Sequence, residues 1–266
     1  VPQPAGKTVD GQILFNNMDL LQKNEEEMRQ LRGDRIAMIL QDPMVSLNPI
    51  LKVERQIGEV FQYHNKIVGR LRDMCISVLE KVRVPSPEIR INAYPFQFSG
   101  GMCQRVVIGM GVANNPELLI ADEPTTALDV TIQSQILQLM KKIQQETNTA
   151  ILMITHDLAT VAQICTRVMV MYAGRIIEKA PVKAFYKNPA HPYSIGLINS
   201  VPVLGRKNKK LYSIEGQPPN LLNPPRGCRF ANRCNKAMEK CFMEYPPEFT
   251  IDTTQNHRVS CWIHSE

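Results

Sequence analysis

The chain has 266 residues, enough for one large core with a smaller lobe or for two modest domains. Hydrophobic residues make up 44% of it and charged residues 21%, as is typical of globular proteins. Its apolar runs are far shorter than the roughly 20 residues that cross a bilayer, so we predict neither a transmembrane helix nor a secretory signal. The net charge of +6 is moderate, and its densest run, Arg206 to Lys210, is interpreted as a solvated linker rather than a contact with lipid or nucleic acid.

The first half of the chain contains two predicted strands and a long helical segment. Gly11 to Phe15 predicts a strand, and Ile36 to Leu40 predicts a buried strand that ends before a proline. Gln41 therefore lies at the carboxyl end of this second strand. Between residues 45 and 98 the apolar residues recur at helical spacing, which predicts a helical insert, and Ser99 can cap the helix that follows.

Strands and helices then alternate. We predict strands at Leu118 to Ala121, Ala150 to Ile154 and Arg167 to Tyr172, with helices at Val130 to Gln145 and Leu158 to Ile164. This alternation predicts a parallel α/β sheet covered by helices. From Val201 onward proline, asparagine and basic residues replace the periodic apolar ones, so we expect two domains, residues 1–200 and 201–266.

Two adjacent carboxylates follow one of these strands. The strand that begins at Leu118 delivers Asp122 and Glu123 to its carboxyl end, where α/β sheets place their chemistry. Phosphoryl transfer requires one carboxylate near Mg²⁺ and a group that orients and deprotonates water. An acidic turn after a core strand is the structural alternative. The glycines at 100 and 101, and His156 after the next strand, argue against it.

The combined motifs resemble the nucleotide-binding subunits of ABC transporters. Those motifs are Phe98 to Arg105, Leu118 to Asp129 and Thr155 to Asp157. The resemblance implies an α/β ABC nucleotide-binding domain with a helical subdomain at about 45–98 and with ATP and Mg²⁺ as cofactors. Gln41 resembles the Q-loop glutamine, which touches Mg²⁺ or the attacking water.

The same resemblance implies a role for each of the other motif residues. Asp122 resembles the carboxylate that holds Mg²⁺ through water, and Glu123 resembles the general base. His156 resembles the switch histidine on the γ-phosphate, and Asp129 resembles the D-loop residue at the dimer interface.

The segment Ser99, Gly100 and Gly101 resembles the signature motif, which binds the phosphate held by the opposite subunit. Phe98 and Met102 stand where leucine and glutamine are commoner in the family. The phosphate contacts do not depend on those two side chains, because backbone N–H groups at a helix start make them.

The sequence contains no Gly-x-x-x-x-Gly-Lys-Ser/Thr phosphate loop. Gly6, Lys7 and Thr8 lack the first glycine of that loop and follow a proline-containing stretch, so we interpret them as a linker. We expect the N-terminal phosphate-loop segment to be missing, either from the sequence as written or from the protein. We therefore expect the chain by itself to hydrolyse little or no ATP.

Four of the cysteines crowd the C-terminal end of the sequence: Cys228, Cys234, Cys241 and Cys261. Four thiolates can enclose Zn²⁺ or an iron–sulfur cluster, and the lack of a Cys-x-x-Cys knuckle favours the cluster. His257 and His264 could each replace a ligand. Four unliganded structural thiols are the remaining alternative.

The cysteine region resembles the C-terminal region of oligopeptide and dipeptide transporter ATPases. Residues 216–221, 227–234 and 191–193 carry this resemblance, and some members of that group hold a [4Fe-4S] cluster on the four cysteines. The resemblance implies a peripheral ATPase subunit at the cytoplasmic face of the plasma membrane that energises peptide import. Nickel is the alternative cargo.

The expected partners are a second ABC ATPase subunit, identical or different, two transmembrane permease subunits and an extracytoplasmic peptide-binding protein. One rival function is a non-catalytic subunit that contributes only its signature motif to a partner's ATP. Another is a soluble ABC ATPase that acts on nucleic acid. The lack of aromatic stacking platforms and of a sustained basic stripe argues against nucleic acid.

Overall fold

The computed structural model describes residues 6–126, 128–201 and 212–265. The chain divides into two compact units, Val1–Ile154 and Thr155–Glu266. The basic run Arg206 to Lys210 lies outside the described residues. The predicted domain boundary after residue 200 falls within the second unit and stays a prediction. Among the described residues, no helix is both long enough and apolar enough to cross a membrane.

The first unit contains a parallel sheet and a hairpin. Its strands are β1 (Leu14–Phe15), β2 (Met18–Asp19), β3 (Ile36–Ile39), β4 (Leu118–Asp122) and β5 (Ala150–Ile154). The strands β1 and β2 pair antiparallel, whereas β3, β4 and β5 form a parallel sheet in that order. In the sheet, Ile39 lies beside Ala121 and Asp122 lies beside Ile154. The carboxyl ends of the three strands therefore share one edge.

Seven helices are described in the first unit. They are α1 (Glu25–Leu31), α2 (Pro43–Ser46), α3 (Val53–Tyr63), α4 (Leu71–Lys81), α5 (Pro87–Arg90), α6 (Gly100–Val112) and α7 (Val130–Thr147). Between 45 and 98 every described regular element is helical, as predicted. The apolar faces of α3 and α4 are buried, with Ile57 and Leu79 fully so. Helix α6 packs on the sheet, where Gly111 lies against Ile39 and Leu119.

The second unit contains an antiparallel sheet. Its strands are β6 (Arg167–Tyr172), β7 (Arg175–Pro181), β8 (Phe249–Asp252) and β9 (His257–Val259), in the order β6, β7, β9, β8. Its helices are α8 (Leu158–Ile164), α9 (Val182–Lys187), α10 (Pro192–Ser200) and α11 (Glu239–Met243). Ala173 and Gly174 join β6 to β7 with φ of 48° and 77°, as a two-residue hairpin turn requires. An aromatic core that includes Tyr172, Phe185 and Phe230 packs on this sheet.

Three predictions about the strands need correction. The predicted strand from Gly11 shrinks to Leu14–Phe15, because only these two residues pair with a partner strand among those described. The predicted parallel sheet holds for β3, β4 and β5, but β6 and β7 are antiparallel, because a two-residue turn allows no crossover. The strands β8 and β9 lie in a region for which the sequence predicted no regular element.

Candidate functional site

Glu123 follows β4 in a backbone conformation that is rare for a side-chain-bearing residue. Its φ is 44°, in the left-handed region, where residues other than glycine are uncommon. Its backbone N–H donates to the carbonyl of Ile154 at 2.9 Å, so the turn is tied to the end of β5. Strained backbone of this kind concentrates at functional sites and persists where the surroundings enforce it. The fold therefore fixes the position of this carboxylate at the sheet edge.

The side chains of Gln41 and Thr126 donate hydrogen bonds to the Glu123 carboxylate. Gln41 Nε2 donates to Glu123 Oε2 at 2.9 Å, and Thr126 Oγ1 donates to the same oxygen at 2.8 Å. Gln41 reaches Glu123 because β3 and β4 are adjacent parallel strands that end at the same edge. The structure thus brings together two of the three residues predicted to be catalytic. Sequence reasoning missed Thr126, although its position within the turn that follows Glu123 is a usable signal.

Asp122 is the last residue of β4 and is half-buried at this edge. A carboxylate here, beside a second carboxylate and an amide oxygen, provides the oxygen ligands that Mg²⁺ prefers. The donor chemistry of the edge therefore fits a Mg²⁺ ion with a phosphate-bearing substrate. The assignment of Asp122 to the ion stays a prediction.

The predicted signature segment forms the start of α6. Ser99 caps this helix, and its Oγ accepts from the backbone N–H of Met102 at 3.4 Å. A Cβ atom added at Gly101 would meet Ile132 Cγ2 at 2.8 Å, so packing against α7 demands a glycine there. At Gly100 an added Cβ would meet no described atom within 4 Å. Packing within the described residues thus explains Gly101 and leaves Gly100 open for the approach of a ligand.

Asp129 caps α7. Its Oδ1 accepts from the backbone N–H groups of Thr131 and Ile132, each at 3.0 Å. An N-cap of this type contributes about 1 kcal/mol to helix stability. The position therefore has a structural role, and its predicted place at a dimer interface stays a prediction.

His156 lies at the start of the second unit, shortly after β5 in the chain. The next residue, Asp157, caps α8 by accepting from the backbone N–H groups of Ala159 and Thr160 at 2.9 and 3.3 Å. Its own backbone N–H donates to Thr155 Oγ1 at 3.0 Å. These bonds fix the backbone on the carboxyl side of the histidine.

All four predicted metal ligands line one cavity of the second unit: Cys228, Cys234, Cys241 and Cys261. Two segments of this cavity are held together by the backbone, because the Cys228 N–H donates to the Cys241 carbonyl at 2.8 Å. Gly227 permits the approach, since a Cβ atom there would lie 2.2 Å from the same carbonyl oxygen.

Burial makes three of the four cysteine thiols of this cavity harder to ionise. It raises the pKa of Cys261 to about 11, and the charges of the other three cysteines contribute to the same rise. Burial also raises the pKa values of Cys228 and Cys234. Among the described residues, no three His, Cys, Asp or Glu side chains are grouped closely enough to hold a single metal ion.

The two histidines predicted as alternative ligands are engaged elsewhere. His257 Nε2 lies 2.8 Å from Glu178 Oε1, and His264 Nε2 lies 3.1 Å from the Ala190 carbonyl oxygen. Neither lines the cysteine cavity. The suggestion that either one replaces a cysteine ligand gains no support from this cavity and stays a prediction.

A third histidine, noted in the sequence only as part of the segment 191–193, lines the cavity instead. His191 is 1% exposed, and burial lowers its pKa to about 4, so the ring is neutral near pH 7. Its backbone N–H donates to Glu178 Oε2 at 2.9 Å, and that carboxylate also accepts from the Ala190 N–H at 2.9 Å. The buried Glu178 thus fixes the segment that carries His191.

Comparisons with known proteins place these features in a family. The model of the ABC transporter family matches residues 5–126, and the model of the oligopeptide/dipeptide transporter C-terminal region matches residues 177–241. The chain is 49% identical over 99% of its length to the oligopeptide transport ATP-binding protein OppD of Bacillus subtilis, and covers 74% of that protein. It is 48% identical over its whole length to the dipeptide transport ATP-binding protein DppD of the same organism, and covers 79% of that protein.

Solved structures agree with this result. The chain resembles the dimeric structure of the ATP-binding cassette MJ0796 bound to ADP and phosphate, with a TM-score of 0.59 and 25% identity. The match covers 67% of this chain and 76% of the other. The prediction of an ABC-type α/β nucleotide-binding fold is confirmed.

Proposed function

The chain belongs to the ABC transporter ATP-binding subunits of the oligopeptide and dipeptide group, and we propose that it hydrolyses ATP to energise the import of peptides. The observation that carries the proposal is the Glu123 carboxylate at the end of β4, held by the side chains of Gln41 and Thr126. The relatives named above are oligopeptide and dipeptide transport proteins. These names support peptides as the cargo. Nickel is the alternative cargo.

Within this proposal, Glu123 acts as the general base. It takes a proton from the water whose oxygen bonds to the γ-phosphorus of ATP, while the bond from that phosphorus to the bridging oxygen of ADP breaks. Gln41 and Thr126 keep the carboxylate in one orientation, which matters because a misplacement of about 1 Å can cost roughly 100-fold in rate. Asp122 would hold Mg²⁺ through water, and the ion would supply neutralising charge on the phosphates.

The remaining motif residues complete a site shared between two subunits. Ser99 and the glycines at the start of α6 present backbone N–H groups and the positive end of the helix dipole to a phosphate bound by the opposite subunit. Asp129 lies at that interface, and His156 binds the γ-phosphate. The working unit is a dimer of ATPase subunits, identical or different, at the cytoplasmic face of the membrane beneath two permease subunits. An extracytoplasmic binding protein delivers the peptide.

The test is ATP hydrolysis by the transporter purified with its natural partner subunits and reconstituted in liposomes. Glu123→Gln removes the base, and we expect turnover to fall at least about 100-fold while ATP binding persists. Glu117→Gln is the matched control, because Glu117 immediately precedes β4 and pairs at the surface with Arg35 and Asn16. Unchanged turnover in the Glu123 variant would contradict the proposal.

We also propose that the cysteine cavity of the second unit holds a [4Fe-4S] cluster. Four cysteines on one cavity supply the ligand number that the cluster needs. Its iron charge would stabilise the thiolates of Cys228, Cys234 and Cys261, which burial makes hard to form. The spacing of the four cysteines lacks the Cys-x-x-Cys knuckle typical of zinc ribbons, which favours the cluster over zinc.

The metal content of the native protein tests this second proposal. We expect about four iron atoms and four sulfides per chain, lost in Cys234→Ser but retained in Cys165→Ser. Cys165 is a matched control, since it is a free, half-buried cysteine that does not line the cavity. Zinc in place of iron, or no metal at all, would contradict the cluster.

A further inference from the structure

The protonation of the His191 ring is fixed by its hydrogen bonds. His191 caps α10, and its Nδ1 accepts from the backbone N–H of Tyr193 at 3.0 Å. A ring nitrogen that accepts a hydrogen bond carries no proton, so in the neutral ring the proton lies on Nε2. The other ring nitrogen of His191 is therefore a hydrogen-bond donor.

Within the part of the chain that the structure describes, that donor has no partner. His191 Nε2 is buried and makes no hydrogen bond there. A buried donor without an acceptor destabilises the folded state, and native proteins rarely leave one unsatisfied. The same ring lines the cavity that all four C-terminal cysteines line. The acceptor for this N–H is therefore expected to be a sulfur atom, either of a cysteine in that cavity or of a group bound there.

We propose that the Nε2–H of His191 donates a hydrogen bond to a sulfur atom of the [4Fe-4S] centre bound by the four cysteines, and thereby raises the reduction potential of that centre. The inference rests on the cluster proposed above. Hydrogen bonds to sulfur are one of the determinants of cluster potential. Uptake of one electron increases the negative charge on the sulfurs, so the donor stabilises the reduced cluster more than the oxidised one.

His191 is in this account a positioning residue that acts on the cluster and not a ligand of it. Two contacts within the protein fix the position of His191. Glu178 Oε2 accepts a hydrogen bond from the His191 backbone N–H, and the Phe230 ring centre lies 5.8 Å from the centre of the imidazole. Because the backbone N–H and the Nδ1 atom of His191 are both hydrogen-bonded, its Nε2–H points in one fixed direction.

Two substitutions separate the donor from the helix cap. His191→Asn places an oxygen near the Nδ1 position and keeps the cap, but it loses the donor. His191→Gln places an amide N–H near the Nε2 position and keeps the donor, but it weakens the cap. The assay is a spectroelectrochemical titration of the full-length protein, with dithionite as the reductant, after iron and sulfide have been measured in each sample.

We expect His191→Asn to lower the equilibrium constant for one-electron reduction about tenfold, which is about 59 mV. His191→Gln should remain close to wild type. An Asn variant with the wild-type potential would overturn the inference and leave the cluster proposal intact. Loss of the cluster in the Asn variant alone would support a hydrogen bond from Nε2–H to the cluster. Loss of the cluster in both variants would overturn the inference. Wild-type protein without iron and sulfide would contradict the cluster itself.

Discussion

The two glycines at the start of α6 should respond in opposite ways to the addition of one methyl group. In Gly101→Ala the new Cβ would lie 2.8 Å from Ile132 Cγ2, about 1 Å closer than ordinary carbon contacts of roughly 3.5–4.0 Å. Ile132 lies in α7, where a β-branched side chain has one strongly preferred rotamer and cannot swing away. The strain must therefore be relieved by a shift of the helices.

The expected cost follows from comparison with the neighbouring position. Overpacking of this kind destabilises a protein by about 1 to 3 kcal/mol. In Gly100→Ala no atom of the described residues lies within 4 Å of the new Cβ. Both glycines lie in the first helical turn, so any gain in helix propensity is similar and cancels in the difference. We therefore expect Gly101→Ala to be about 1 to 3 kcal/mol less stable than Gly100→Ala.

Urea unfolding of both variants, followed by circular dichroism, measures this difference in the free energy of unfolding. In the Gly101→Ala background, Ile132→Ala should restore part of the lost stability, with a coupling energy of about 1 kcal/mol or more in a double-mutant cycle. Equal stabilities for the two single variants, within about 0.5 kcal/mol, would refute the packing argument. Gly100→Ala should instead weaken ATP-driven dimer formation without loss of stability, because its methyl group obstructs the approach of a phosphate.

Two further predictions follow from the described contacts. In the reconstituted transporter, Gln41→Ala or Thr126→Val should lower kcat about tenfold with little change in KM for ATP, because each removes one hydrogen bond to the Glu123 carboxylate. Thr126→Ser keeps the hydroxyl group and should retain activity. An equal loss of activity in the serine variant would contradict the role of that hydrogen bond. Glu178→Ala should destabilise the second unit by about 3 to 5 kcal/mol in thermal or urea unfolding, because it leaves a buried histidine and two backbone N–H groups unpaired. The surface control Glu248→Ala should cost at most about 1 kcal/mol, and similar losses would be inconsistent with a buried network.

The sheet edge could be predicted from the sequence because its geometry is local. A short apolar strand followed at once by polar residues places those residues at the strand end, and adjacent parallel strands bring such ends together. Gln41 and Glu123 meet for this reason. The need for glycine at 101 rather than at 100 could not be predicted, because it depends on how closely α6 approaches α7, a separate helix that begins only at Val130.

The structure of the second unit was less predictable, because its strand pairing and its cavity depend on contacts between segments that are distant in the chain. The strands β8 and β9 are short, and β9 pairs with a strand much earlier in the chain, with Val259 opposite Glu178. The donor role of His191 depends on the N–H of Tyr193 for its tautomer and on cysteines as distant in the chain as Cys261 for its surroundings. No periodic pattern in the sequence encodes such relations.

ATP-dependent uptake of labelled dipeptides and oligopeptides by liposomes that contain the complete transporter tests the central claim most directly. We predict uptake that requires ATP, that survives Glu117→Gln and that Glu123→Gln abolishes. Uptake that continues in the Glu123 variant, or ATP hydrolysis that drives nickel and no peptide across the membrane, would contradict the account.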